Sequence, residues 1–262
     1  MTRYRRLNAL LELLAADGQV SVEHASAALG VSAATVRRDF DDLASQQMLT
    51  RVRGGAVARG VTYDLPLRYK TERNPTEKQR IAAVAAAMIP AGQVTGLNGG
   101  TTTTEVARAL AVRADLQSGD PLSPALTVVT NALNIAAELA IRQHIKIVVT
   151  GGVARPQSYE LTGPLARGVL EQVVLDVAIL GVDGIDAEAG ATAHHEGEAS
   201  INHLMTRRAE KVVVVADSSK AGKRRFARIC AAEDVNVLVT DAGIGKDQAS
   251  RLAEAGVEVV IA

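Results

Sequence analysis

Asn98-Gly99-Gly100 followed by Thr101, Thr102 and Thr103 is a run that can hold an anion. Glycines let backbone approach a ligand closely, and a helix opening at the threonines presents N–H groups and a dipole that favour negative charge. A phosphate or a carboxylate fits such a loop. No Lys follows the glycines and the spacing is not Gly-x-Gly-x-x-Gly, so nucleotide binding has no support. Lys220, in Ala-Asp-Ser-Ser-Lys-Ala-Gly, can add the positive charge an anion needs. An ordinary strand-to-helix turn with a threonine cap uses the same residues, and the loop alone does not separate the two.

A second group is basic. Ser32, Ala33, Ala34 and Thr35 lead into Arg37 and Arg38, and Arg51, Arg53 and Arg59 follow in an alternating stretch. Small residues at the start of a helix let it enter the major groove, where Arg can contact guanine or phosphate. Arginines on a short hairpin can grip phosphate or the minor groove. With two Phe, four Tyr and no Trp, there is no aromatic platform for single-stranded bases, which favours duplex DNA.

The elements needed to position that basic group are legible around it. A first helix is expected from Arg3 to Ala16, with Leu7, Leu10, Leu11 and Leu14 on one face and Gly18 stopping it. Ser21 is placed to cap a second helix with Val22, Ala25, Ala28 and Leu29 on its apolar stripe, and Gly30 ends it. Ser32 caps a third helix that turns Val36, Phe40 and Leu43 inward, with Asp39, Asp41 and Asp42 facing away from a duplex. A hairpin turning at Gly54-Gly55 completes a winged helix-turn-helix over residues 1–59.

Charge is consistent with local rather than general contact with a polyanion. Residues 1–60 hold eight Arg, no Lys and six acids, whereas the chain as a whole has 29 basic and 29 acidic residues. No stretch approaches the roughly 20 apolar residues of a membrane span. The opening Met-Thr-Arg-Tyr-Arg-Arg is amphipathic rather than a leader, so a cytoplasmic protein is expected. Cys230 has no partner thiol, which removes a disulfide framework and leaves a buried packing residue.

Periodicity lapses between 60 and 75, the expected linker. Thr76 with Gln79 then suggests a capping box opening a helix to about Met88. From there β-branched runs beginning at 94, 126, 145, 177, 211, 235 and 257 alternate with helical segments. Near-continuous apolar strands separated by helices predict a doubly wound, mostly parallel sheet covered on both faces, Rossmann-like, over 76–262. Asn98, Asn131, Gly151-Gly152, Asp183-Gly184, Asp217 and Asp241 each follow one of these runs, on the edge where open α/β sheets bind ligands. His194, His195, Glu196, Glu198 and His203 are metal-ligand types. Adjacent histidines rarely converge on one ion, so no metal and no cofactor is expected, and this loop is expected to border the ligand pocket instead.

These motifs in their order carry a resemblance over nearly the whole chain. The segment from Arg6 to Phe40 with Arg-Val-Arg-Gly-Gly-Ala-Val resembles the N-terminal domain of DeoR-type transcriptional regulators. Leu-Asn-Gly-Gly-Thr-Thr-Thr, Val-Val-Thr-Asn-Ala-Leu, Thr-Gly-Gly with Arg155-Pro156, Leu-Thr-Gly-Pro-Leu-Ala, Ile-Leu-Gly-Val-Asp-Gly-Ile-Asp and Ala-Asp-Ser-Ser-Lys-Ala-Gly resemble that family's sugar-phosphate sensor domain, which is similar in fold to ribose-5-phosphate isomerase and glucosamine-6-phosphate deaminase. The resemblance implies a repressor of carbohydrate-metabolism genes whose affinity for a double-stranded operator changes with a phosphorylated sugar. It implies Gly100 to Thr103 as phosphate loop, Asp183 and Gly184 as mid-sheet loop, Lys220 after the fifth strand, and Glu198 near the effector. The chain departs from the family pattern where Asn98 and Gly99 replace an Asp and a Ser, where Asn202 replaces a Lys, and at His194 and His195. A homo-oligomer, dimer or tetramer, is expected, because one winged helix reads few base pairs. The chain is expected not to be an enzyme. The alternatives are isomerase or deaminase chemistry with Asp183, Asp186 or Glu198 as base and Lys220 steadying an enolate, or a C-terminal domain that only assembles oligomers.

Overall fold

The computed structural model describes residues 1–46, 48–58, 67–70, 74–117 and 123–262, in two compact units, Met1–Arg73 and Asn74–Ala262. Arg59 and most of segment 60–75 lie outside the described residues.

The first unit runs α1 (Arg3–Asp17), β1 (Gln19–Ser21), α2 (Val22–Leu29), α3 (Ala33–Ser45), β2 (Leu49–Val52), β3 (Gly55–Ala58) and α4 (Leu67–Lys70). The caps explain the breaks between its helices. The Ser21 hydroxyl accepts from the N–H of His24, and that of Ser32 from the N–H of Thr35, while Gly18 and Gly30 end their helices in the left-handed conformation. Leu7, Leu10, Leu11 and Leu14 of α1 close on Val36, Phe40 and Leu43 of α3, with Val20, Leu49 and Ala56 from the strands. Each fully buried leucine contributes about 2 kcal/mol, so α1 is held chiefly by packing.

Three details differ from the sequence reading. Ala28 is exposed, because α2 is short and buries only Val22 and Ala25. The hairpin register pairs Val52 with Gly55, so the turn is Arg53-Gly54 and Gly55 belongs to β3. β1 adds a third strand, giving the order β1-β3-β2.

The second unit begins with α5 (Pro75–Ala87), β4 (Val94–Leu97), α6 (Thr101–Ala111), β5 (Leu126–Thr130), α7 (Leu133–Leu139) and β6 (Ile145–Val149). It continues with β7 (Val153–Ala154), β8 (Leu161–Thr162), α8 (Pro164–Leu170), β9 (Leu175–Gly181), β10 (Gly184–Asp186) and β11 (Gly190–Ala193). It closes with α9 (Glu196–Arg208), β12 (Ala209–Val215), β13 (Ala227–Cys230), β14 (Val237–Thr240), α10 (Lys246–Glu254) and β15 (Glu258–Ile261). The capping box at Thr76 is absent. Asn74 precedes the helix at φ 48 without a side-chain cap, and Pro75 takes the first helical position.

All seven apolar runs enter one sheet, ordered β15-β14-β12-β9-β4-β5-β6, with every pairing parallel. Helices α5, α6 and α7 pack on one face and α8, α9 and α10 on the other. Strand β9 shows why its run is continuously apolar: Val177 and Ile179 enter the first layer, Ala178 and Leu180 the second. An antiparallel sheet β10-β11-β13 and a hairpin β7-β8, neither anticipated from sequence, attach to this frame. Cys230 is buried in the second layer, where burial pushes its thiol up to about 11.

Candidate functional site

The outward side of α3 carries the first candidate surface. Ser32, Ala34, Arg37 and Arg38 are exposed and Ala33 and Thr35 half-buried, and the Ser32 and Thr35 hydroxyls lie 2.9 Å apart. Its three acids are neutralised from elsewhere in the unit. Buried Asp39 receives Arg6 through Nε at 2.5 Å and Nη2 at 3.0 Å, Asp42 receives Arg3, and Asp41 receives Arg51 Nε at 2.9 Å. The hydrogen bond from Arg6 to Asp39 outweighs burial and holds the guanidinium pKa above its usual value. Arg37, Arg38 and Arg53, all exposed, make no ion pair with a described residue. The local field outside α3 is therefore positive despite its three aspartates.

Arg51 has a different place from the one sequence alternation suggests. Its guanidinium donates to Asp41 and to the Gly55 carbonyl at 2.8 Å, and lies 5.4 Å from the Phe40 ring centroid. It ties wing to α3. Arg53, at the turn, is exposed.

The second candidate surface follows from topology. Counting from β4, the chain builds outward through β5 and β6 on one side, then returns to start again at β9 on the other. The β4–β9 boundary is the point where strand order reverses, and in doubly wound sheets the crevice beyond it binds ligands. Asn98 closes this boundary: its Nδ2 donates to the Gly181 carbonyl at 2.9 Å and its Oδ1 accepts the Gly181 N–H at 2.8 Å. Its amide is thereby committed to the frame.

Beyond it Gly100, at φ 150, turns the chain into α6, and its carbonyl accepts from the N–H of Thr104 and from both the Thr103 and Thr104 hydroxyls. The N–H groups of Gly100, Thr101, Thr102 and Thr103 have no partner among the described residues. Thr102 and Thr103 are buried and Gly100 and Thr101 half-buried, so the N–H groups of Thr102 and Thr103 are the costlier to leave unpaired.

Other expected residues gather along the same edge. Asp183 accepts from the His194 N–H at 3.1 Å and lies 4.0 Å from Lys220 Nζ. Glu198, buried on α9, is paired with Arg155 Nη1 at 2.9 Å. Asn131 is fully buried and donates to Glu160 at 2.9 Å. Gly152 lies against Thr162 and Ala166, and Gly184 against the backbone of Lys223. His195 caps α9 through Nδ1, and His203 Nδ1 meets the Ile229 carbonyl at 2.7 Å; among the described residues no group of His, Cys, Asp or Glu is arranged to hold a metal.

Sequence reasoning missed two residues here. Arg155 was visible in a motif but gave no sign that it would supply the cation for Glu198. Glu160 gave no signal at all: it is buried, spans to Asn131, and lies so close to Gly99 that a Cβ there would sit 2.7 Å from its Oε1.

Residues 6–60 match the DeoR-like helix-turn-helix domain and residues 73–242 the DeoR C terminal sensor domain. The HTH-type transcriptional regulator GlpR of Haloferax volcanii is 34% identical over 97% of this chain and 96% of its own length. The glycerol-3-phosphate regulon repressor of Escherichia coli K12 is 30% identical over 92% of each chain. The HTH-type transcriptional repressor GlcR of Bacillus subtilis is 30% identical over 100% of this chain and 97% of its own. A solved ribose 5-phosphate isomerase A from Methanocaldococcus jannaschii aligns with 61% of this chain and 57% of its own at 17% identity and a TM-score of 0.42. The chain belongs to the DeoR family of DNA-binding transcriptional regulators. No helix among the described residues is long and apolar enough to cross a membrane.

Proposed function

We propose that this chain is a repressor of carbohydrate-metabolism genes whose grip on its operator is set by a phosphorylated sugar bound at the β4–β9 edge. The observation that carries this reading is the set of four successive unpaired N–H groups at Gly100 to Thr103, at the point where strand order reverses. Such donors, at a helix N-terminus, favour a phosphate. Lys220 and Asp183, 4.0 Å apart, follow β12 and β9 on the same sheet edge, and the Escherichia coli relative is named for a phosphorylated polyol.

In this reading Ser32, Ala33, Thr35, Arg37, Arg38 and Arg53 meet DNA, with Arg51 bracing the wing. Residues 1–59 bind the operator, 60–75 link, and 76–262 sense the effector and assemble a cytoplasmic homo-oligomer. An effector that prefers the DNA-incompetent arrangement shifts the population by its differential affinity.

In this reading the chain binds its effector without turning it over. Of the three candidate bases, Asp186 is spent on the N–H groups of Glu188 and Ala189 and on Arg224, and Glu198 is paired with Arg155. Asp183 accepts from the His194 N–H with Lys220 4.0 Å away, so turnover would rest on Asp183 alone. Thermal unfolding of the full chain with a panel of sugar phosphates tests the reading. A ligand at a hundredfold excess over its Kd adds about 2.7 kcal/mol, which raises the midpoint by several degrees. A panel without any shift argues against an effector, and turnover of any member argues for an enzyme.

A further inference from the structure

Asn134, in the first turn of α7, reaches the anion loop through Thr104. Its Nδ2 donates to the Thr104 Oγ1 at 2.8 Å, and Thr104 Oγ1 in turn donates to the Gly100 carbonyl at 2.6 Å. A hydroxyl has one proton, so an amide N–H arriving at the Thr104 oxygen leaves that proton for Gly100. The same carbonyl accepts from the Thr103 hydroxyl at 3.2 Å and from the Thr104 N–H at 3.1 Å.

The direction of the Gly100 carbonyl decides what the loop can bind. In a trans peptide the C=O and the N–H that follows it point oppositely, so a carbonyl held toward α6 turns the Thr101 N–H outward, past the helix start. Gly100, at φ 150, has no Cβ to restrict this peptide, and a side chain from another element supplies the restraint. That element is itself anchored. Thr130 Oγ1 donates to the Leu97 carbonyl at 2.7 Å and accepts the Ala132 N–H at 3.0 Å, which joins the β5–α7 connection to the end of β4.

Asn134 adds an independent observation. Its Oδ1 is shielded from solvent and has no hydrogen-bond partner among the described residues. A buried amide oxygen without a donor is unfavourable, and a leucine would fill similar space without that cost, so stability alone does not account for an asparagine here.

We propose that Asn134 is a positioning residue of the effector site. Through the Thr104 hydroxyl it holds the Gly100–Thr101 peptide with its N–H toward the phosphate, and so sets affinity by acting on the loop rather than on the ligand. This inference rests on the reading that the Gly100–Thr103 N–H groups take the effector's phosphate.

For the test, inorganic phosphate, glycerol 3-phosphate and glucose 6-phosphate are titrated calorimetrically into the full wild-type chain. The tightest binder among them is then titrated into N134L, T104V, T104S and the double variant of N134L with T104V, and thermal unfolding checks that each folds. N134A, a good helix former, stands in if N134L does not. N134L and T104V are each expected to weaken binding about fivefold, the share of one hydrogen bond. The double variant is expected to bind within about twofold of either single variant, because both break the same chain of bonds. T104S keeps the hydroxyl and is expected to stay within about twofold of the wild type. Unchanged affinity in the Asn134 variant, losses that multiply in the double variant, or a loss in T104S equal to that in T104V overturns the inference and leaves the effector reading intact. A wild type that binds none of the three probes overturns both.

Discussion

The side chain of Asn98 bridges both backbone groups of Gly181, donating at 2.9 Å and accepting at 2.8 Å across the boundary between β4 and β9. It works as a backbone substitute where two strands diverge, and it fixes the loop that leads into α6. Asn98→Ala removes both bonds and leaves a buried pair unsatisfied, which costs about 1–3 kcal/mol. Denaturant unfolding of the full chain is expected to show that loss in the sensor unit, and an unchanged midpoint would mean the bridge is dispensable.

Gly99→Ala places a methyl group against Glu160 Cγ and Oε1, at 2.4 and 2.7 Å. Either the loop or the carboxylate must move, so the variant is expected to lose both stability and effector response. Combining it with Glu160→Ala removes the clash. Residues in contact couple by about 0.5–3 kcal/mol in double-mutant cycles, and a positive coupling of that size is the expected result. Additive losses would contradict the contact.

Arg51 and Arg53 are neighbours on the wing with opposite expected phenotypes. Arg51→Ala cuts the ties to Asp41 and Gly55 and is expected to lower the stability of the first unit and weaken DNA binding on all sequences alike. Arg53→Ala is expected to leave stability unchanged while lowering the salt slope of binding by about one. Arg37→Ala distinguishes a base contact: about 1–3 kcal/mol of discrimination is lost if it reads a base. Equal weakening on every sequence would assign Arg37 to phosphate.

Acid sensitivity is expected to concentrate at the carboxyl edge of the sheet. Burial raises the Asp241 carboxyl, but the N–H groups of Ser218 and Gly243 more than offset this and hold it below its ordinary 3.8. Asp186 is likewise raised by burial but held low overall by the N–H groups of Ala189 and Glu188 and by Arg224. A depressed carboxyl pKa adds stability that is complete above the unfolded value and is lost as pH falls through the folded one. Stability is therefore expected to be flat at neutral pH and to decline below about pH 4. D241N removes part of that decline; parallel pH profiles for wild type and variant would remove Asp241 from the account.

Much of this architecture is written in the chain locally. Ser21 and Ser32 cap helices because their hydroxyls reach the third N–H onward, and Gly18 and Gly30 stop them, so the order of helices and wing is legible. The parallel strands are legible because burial on both faces makes each a continuous apolar run. The strands of 184–186, 190–193 and 227–230 are short and mixed in composition, which conceals them. Pro75 outranks Thr76 as a helix start because its fixed φ suits the first helical position. Alternation placed Arg51 on the wing but could not tell that Asp41 would draw it inward. Glu160 was invisible for a stronger reason: its meaning depends on Gly99 and Asn131, which approach it only when the sheet forms.

The most direct test of the central claim is a titration of the full chain, bound to DNA from upstream of its own gene, with sugar phosphates and their unphosphorylated counterparts. The account predicts that a phosphorylated sugar changes the DNA affinity at least about fivefold, the lower range of allosteric coupling, and that its unphosphorylated counterpart does not. Specific DNA binding that persists unchanged through the whole panel would contradict it.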